Sequence, residues 1–239
     1  MSDISASAVA SLRFRTGVSI LVCKKALEDA DGDEEKAIEI LRKQGAVQAA
    51  KKADREQSEG IVFSAEANGK AALILVLCET DFVARDENFQ STGQQLAETL
   101  VQEGEDAMKT KAEELIPATV QKLGENISLG DVQLIEAPIL GVYVHTNGKI
   151  GVAIGMEGGS VDLARDAAMH AAAMNPLFVS PEEVSSADVE AEKAIWSEQL
   201  AAAGKPTEIM EKIMMGKEKK FREESALLTQ EFVKEPGKT

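Results

Sequence analysis

Ile61-Val62-Phe63-Ser64-Ala65-Glu66-Ala67-Asn68-Gly69-Lys70-Ala71-Ala72-Leu73-Ile74-Leu75-Val76-Leu77 is the stretch on which the architecture of this chain turns. Asn68-Gly69 between two β-prone apolar runs is the strongest short hairpin signal, because both turn residues are expected to take positive φ. The pattern recurs downstream, where Val142-Tyr143-Val144-His145 and Ile150-Gly151-Val152-Ala153-Ile154 flank Asn147-Gly148. Lys70 and Lys149 occupy the same place after each turn. A helix is expected to follow each hairpin, from Asn88 to about Gln102 and from Ser160 to Met174. This recurrence predicts an α+β fold in which two subdomains with antiparallel sheets are built alike, as a degenerate internal duplication. Residues 106 to 123 read as a further helical segment interrupted by Pro117, and residues 126 to 136 as a further strand.

Working outward towards the N-terminus, residues 2 to 45 parse as three short helices. Ile4, Ala8, Val9 and Leu12 make one apolar stripe. Ser19 is placed to cap a second helix carrying Ile20, Cys23, Ala26, Leu27 and Ala30, and Asp33 a third carrying Ala37, Ile38 and Leu41, with Gly45 as its stop. Three helices of this length bury little, so the module is expected to dock on the rest of the chain or on a partner. The Ala-, Lys- and Gln-rich residues 46 to 55 read as a solvated linker or a helix extension. Towards the C-terminus, Val184 to Glu224 is charged and helical, with Gly204-Lys205-Pro206 in its middle and Thr207 as a cap, which predicts an antiparallel helical hairpin. Ala187, Ala191 and Ala194 would form the stripe of one arm, and Met210, Met214 and Phe221 that of the other. The expected divisions are residues 1–55, a three-helix domain plus linker; 56–140, one core subdomain; 141–183 with 225–239, a second; and 184–224, the hairpin.

Composition narrows the function. The chain has 239 residues, 44% of them hydrophobic, and a net charge of -15. So acidic a chain argues against direct nucleic-acid binding, which needs clustered Lys and Arg. The charge is unevenly spread: residues 1–55 hold 10 Lys and Arg against 9 Asp and Glu, and the remainder carries the whole acidic excess. Cys23 and Cys78 are far apart without a CxxC pairing, so neither a disulfide framework nor a zinc site is indicated, and a reducing, cytoplasmic setting fits. No stretch approaches the roughly 20 apolar residues of a bilayer span, and no cofactor or metal is called for.

Enzyme signatures are equally sparse. GxSxG, HExxH and P-loop patterns are absent. His170, within Ala167-Ala168-Met169-His170-Ala171-Ala172-Ala173, reads as a structural histidine on the close-packed face of a helix, and His145 ends a strand beside the second turn. Asp31-Gly32-Asp33-Glu34-Glu35 lacks calcium-loop spacing and reads as a capping turn. The informative segment is Glu79-Thr80-Asp81-Phe82-Val83-Ala84-Arg85, which leaves the central apolar run and enters a helix cap. Two readings of Phe82 stay open: it folds back as the staple of the next helix, or it stands exposed for insertion into something else.

Leu12-Arg13-Phe14-Arg15-Thr16-Gly17, Cys23-Lys24-Lys25-Ala26-Leu27, Gly32-Asp33, Lys36-Ala37-Ile38 and Cys78-Glu79-Thr80-Asp81-Phe82-Val83-Ala84 together resemble the elongation factor Ts family. The likeness continues through Ile150-Gly151-Val152, Met169-His170-Ala171-Ala172, Asn175-Pro176, Gly204-Lys205-Pro206 and Glu235-Pro236, in the family's order. The resemblance implies a guanine nucleotide exchange factor for elongation factor Tu, in its GDP-bound and nucleotide-free forms, with a ubiquitin-associated-like N-terminal domain and a coiled-coil hairpin. It implies that Thr80, Asp81, Phe82 and Val83 dislocate the partner's Mg²⁺, and that Arg13, Ile20, Leu21 and His145 face its GTP-binding domain. A homodimer, or a heterotetramer with the partner, is compatible with it. The chain departs from the family at Val22, where an acidic residue is usual. The family's further strand and tail would follow Thr239, so the second core subdomain is expected to be incomplete. A passive scaffold that binds a translation partner without exchanging nucleotide is the alternative; a hydrolase using Asp81 with His145 or His170 lacks a nucleophile.

Overall fold

The computed structural model describes residues 4–202 and 207–239; the expected hairpin tip Gly204-Lys205-Pro206 lies outside them. The fold is α+β, and the chain divides into two compact units, Met1–Arg165 and Asp166–Thr239.

The first unit begins with helices α1 (Ala6–Thr16), α2 (Ile20–Asp29) and α3 (Glu34–Lys52). Ser5 caps α1 by accepting from Ala8 N at 3.2 Å, and Asp33 caps α3 by accepting from Lys36 N at 3.1 Å. Ser19 holds the N-cap position of α2 but makes no side-chain cap bond. Leu12, Cys23, Ala26, Leu27 and Ala37 are fully buried between the three helices. Gly45 does not end α3. It is buried against helix α6 (Glu105–Leu123), where a Cβ would lie 3.0 Å from the Pro117 carbonyl oxygen, so its small size serves helix contact and not termination. Residues 46–52 are accordingly helix extension, and only the last residues before the first strand connect. Nor does Pro117 interrupt α6, which runs through it unbroken. One ladder bond is lost there, while α6 is held on one side by α3 and on the other by α5 (Glu87–Glu103), Thr92 and Thr119 sharing a buried 2.8 Å hydrogen bond.

Strands β1 (Glu59–Ala67) and β2 (Lys70–Cys78) pair antiparallel across Asn68 (φ 52°) and Gly69 (φ 75°), the geometry expected of that turn. β3 (Ser128–Glu136) adds to the other edge of β2, giving the order β1-β2-β3. The unbroken apolar run of β2 follows from its central place: Ala72, Ile74, Val76 and Cys78 enter the core beneath α5 and α6, while Ala71 and Leu73 turn the other way. That opposite face meets a second hairpin, β4 (Ile139–Val144) and β5 (Gly151–Met156), around Leu140 and Val142. The second turn differs from its expected geometry. Asn147 keeps negative φ and only Gly148 is positive, at 68°, because Gly148 N bonds His145 O at 2.7 Å to make a wider loop. Gly141 lets the first turn of α7 (Val161–Met174), which still belongs to the first unit, approach β4 closely, since a Cβ there would lie 2.1 Å from the Ala164 backbone.

In the second unit, α8 (Ser186–Ala202) and α9 (Thr207–Ser225) lie antiparallel, with Trp196 edge-on to Phe221 at 5.9 Å. The α8 stripe is not the expected one. Ala187, Ala191 and Ala194 are exposed, and Val189, Trp196 and Leu200 are buried instead, because the larger apolar side chains recover more free energy at the contact. Met210, Met214 and Phe221 are partly buried on α9. His170 is 3% exposed and accepts at Nδ1 from Val233 N, so Nε2 carries the proton towards Gln230 Oε1 at 3.2 Å. It is the structural histidine its surroundings suggested.

Candidate functional site: the loop after β2

Cys78 ends the central strand in the core, and the chain leaves the sheet through Glu79 and Thr80 into the single helical turn α4 (Asp81–Ala84). Thr80 Oγ1 caps this turn, accepting from Val83 N at 3.4 Å. The turn is oriented by what it buries: Val83 and Ala84 are 8% and 3% exposed in the core. At about 100° per residue, inward positions at 83 and 84 force residue 82 outward. Phe82 is 82% exposed. The staple reading is thereby excluded, and the ring stands in solvent on a turn whose next residues are anchored.

Glu125 fixes the base of this turn. Its Oε2 accepts from Glu79 N at 3.1 Å and Thr80 N at 3.0 Å, and its Oε1 from Thr80 Oγ1 at 2.6 Å. Burial, and then the Glu125 carboxylate, push the Cys78 thiol up to about 11. It is therefore protonated at neutral pH and donates to the Thr80 carbonyl at 3.3 Å. Asp81 remains half-exposed and pairs with Arg85 at 3.0 Å, one turn on.

Asp81 and His145 line one cleft of about 840 Å³, together with Glu59, Arg85, Gln94 and Lys149. His145 Nδ1 lies 2.8 Å from the Tyr143 hydroxyl, so the imidazole is held by its own strand. Arg13 and Ile20 line a separate groove on the three-helix module with Ile4, Val9, Phe14 and Lys24. Leu21 is 80% exposed. Sequence reasoning passed over Phe14, which at 93% exposure is the barest aromatic among the described residues. Its signal was available: it lies between Arg13 and Arg15, off the stripe formed by Val9 and Leu12. Glu125 was also passed over, being remote in sequence from the turn it holds. Among the described residues no group of three or more His, Cys, Asp or Glu side chains is arranged to hold a metal ion, and no single helix is long and apolar enough to cross a membrane.

A family model described as "Elongation factor TS" matches residues 79–239, beginning at the first residue after β2. "Elongation factor Ts" of Hahella chejuensis is 44% identical over 242 residues, covering 99% of this chain and 85% of the relative. The protein of the same name from Francisella tularensis subsp. novicida is 44% identical over 247 residues, with the same coverage. The chain belongs to the elongation factor Ts family. Membership extends over the three-helix module as well, since the matched relatives span nearly the whole chain although the family model starts later.

Proposed function

We propose that this chain is a guanine nucleotide exchange factor for elongation factor Tu, and that α4 is the part that acts on the nucleotide site. The observation that carries the reading is Phe82. A large apolar side chain held in water on a turn pinned by Glu125 has no role in its own core, whereas it suits insertion into a pocket of another protein. A G protein holds its nucleotide largely through Mg²⁺, which bridges the phosphates to the protein's own ligands. Phe82 wedges between elements of the partner beside that metal. Asp81, freed from Arg85, brings a carboxylate to the metal's hydration shell, and Thr80 and Val83 hold the turn that delivers both. Weakening the metal and phosphate contacts by about 4 kcal/mol loosens nucleotide roughly a thousandfold. Linkage then requires that returning nucleotide weaken the factor's grip equally, which releases the factor for another cycle. No bond in the nucleotide is made or broken, so the chain needs no active site of its own.

Family membership supports the choice of partner, and the exposed faces around Arg13, Ile20, Leu21 and His145 supply further contact surfaces. Stopped-flow release of labelled GDP from elongation factor Tu tests the proposal. The chain at substoichiometric amounts accelerates release. Phe82→Ala slows it by about an order of magnitude or more, without the roughly 3–5 kcal/mol loss of stability that truncating a buried Phe causes. Asp81→Ala acts in the same direction and less strongly, and the double variant is less than additive because both residues enter one pocket. Binding without acceleration makes the chain a scaffold and overturns the reading.

A further inference from the structure

Glu125 lies just beyond α6 and its Gly124 cap, 45 residues from the turn whose two backbone amides and capping hydroxyl it holds. We propose that Glu125 is a positioning residue for the Phe82 turn, and that with Asn126 and Glu79 it sets this turn in fixed register with the segment tethering the three-helix module. The inference rests on the exchange reading above.

Donor and acceptor matching at this point is unusually complete. The Glu125 carboxylate takes three bonds, two of them from the last amides before α4, while Asn126 N donates to Glu79 Oε1 at 2.6 Å. Asn126, 5% exposed, donates through Nδ2 to the carbonyls of Ala53 at 3.3 Å and Arg55 at 2.9 Å, directly after α3. Gln57 closes the circuit by donating to Asn126 O at 3.2 Å, and Arg55 pairs with Glu79 at 3.4 Å. Chain segments 53–57, 77–80 and 125–126 are thus laced by polar bonds that neither the hydrophobic core nor the sheet ladder requires. The carboxylate takes its donors from the two residues that lead into the turn bearing the exposed aromatic. Its effect is to spare Phe82 and Asp81 an ordering cost at the moment of insertion, which is what preorganised sites gain from their supporting residues.

The test uses the full chain with elongation factor Tu and labelled GDP, alongside hydrogen exchange at the Glu79 and Thr80 amides. Glu125→Ala raises exchange at those two amides and lowers GDP release at saturating factor by about tenfold, more than it changes the half-saturating concentration. Glu125→Gln restores most of the rate, since an amide oxygen accepts both backbone N–H groups while its NH₂ donates to Thr80 Oγ1. In a Phe82→Ala background the Glu125→Ala change adds less than about twofold, because the main group it aims is gone and only the weaker contribution of Asp81 remains. Should Glu125→Ala not fold, Thr80→Val removes the 2.6 Å bond together with the cap to Val83 N, leaves the two backbone amides on Glu125, and is expected to slow release several-fold. Release unchanged by Glu125→Ala or Thr80→Val while Phe82→Ala slows it overturns the inference and leaves the wedge standing. Equal losses in both backgrounds also overturn it. A Phe82→Ala variant with undiminished release overturns the wedge role of Phe82, and with it this inference, while leaving exchange by the chain standing; the amide measurement then still decides whether Glu125 rigidifies the turn.

Discussion

Phe82 forgoes in the free chain the roughly 1.5–3 kcal/mol that burying such a side chain returns, and the turn beneath it makes that arrangement persistent. The last residue of the strand before it has the opposite character. Cys78 is fully buried, and its thiol keeps its proton well above the ordinary cysteine range, up to about 11. Two outcomes follow. At pH 8 the thiolate fraction is roughly one part in a thousand, so alkylation of native Cys78 proceeds far more slowly than that of the unfolded chain, as mass spectrometry of time points would record. The linkage sign is also set: the folded state holds a proton that the unfolded chain releases first, so this contribution to stability is complete below the unfolded thiol's titration and is lost as pH rises towards about 11. Urea midpoints across that range, compared with a Cys78→Ala chain, isolate it. At this scale Phe82 was legible only as a choice between two readings, because exposure depends on whether residues 83 and 84 find a core, and that core is assembled from α5, α6 and the sheet.

Glycine and proline carry most of the information at the scale of elements, and their meaning was the least legible. Asn68-Gly69 could be read outright, since a turn between adjacent strands is a local problem with one inexpensive solution. Gly45 and Pro117 could not: sequence offers the same two residues as helix breakers, and only the crossing of α3 on α6 reveals them facing each other. The alanine stripe on α8 failed for a related reason, as spacing alone cannot tell which of two helical faces meets a partner element when both carry apolar residues. Gly45→Ala sets about 1 kcal/mol of gained helix propensity against a carbon that would lie 3.0 Å from the Pro117 carbonyl oxygen, and is expected to destabilise the first unit by no more than about 2 kcal/mol. Gly141→Ala, with 2.1 Å to the Ala164 backbone, costs at least as much, because the backbone around Ala164 must move away from β4. Chemical denaturation of the two variants, read by circular dichroism, measures both.

For the whole molecule, the charge asymmetry that marked residues 1–55 as a separate electrostatic unit does not extend to packing. α3 lies along α6, Lys52 Nζ donates to Gly124 O at 2.5 Å, and Asn126 bonds the carbonyls of Ala53 and Arg55. A chain beginning at residue 56 therefore leaves α6 with an uncovered side and Asn126 without its acceptors. It is expected to stay folded with a lowered thermal midpoint and weaker binding to elongation factor Tu, which calorimetry and titration of the truncated chain would establish together. The α+β class was accessible from sequence because hairpins and amphipathic helices are short-range patterns, whereas docking of one helix group on another is set by surfaces that sequence order scatters. The packing of α8 against α9 carries one more consequence, a spectroscopic one. Trp196 is the chain's only tryptophan and lies in the second unit, whereas Tyr143, the only tyrosine, lies in the first. Excitation at the red edge of the absorption band consequently reports on the helical pair alone, and native emission already distinguishes that pair's melting from any event in the sheets.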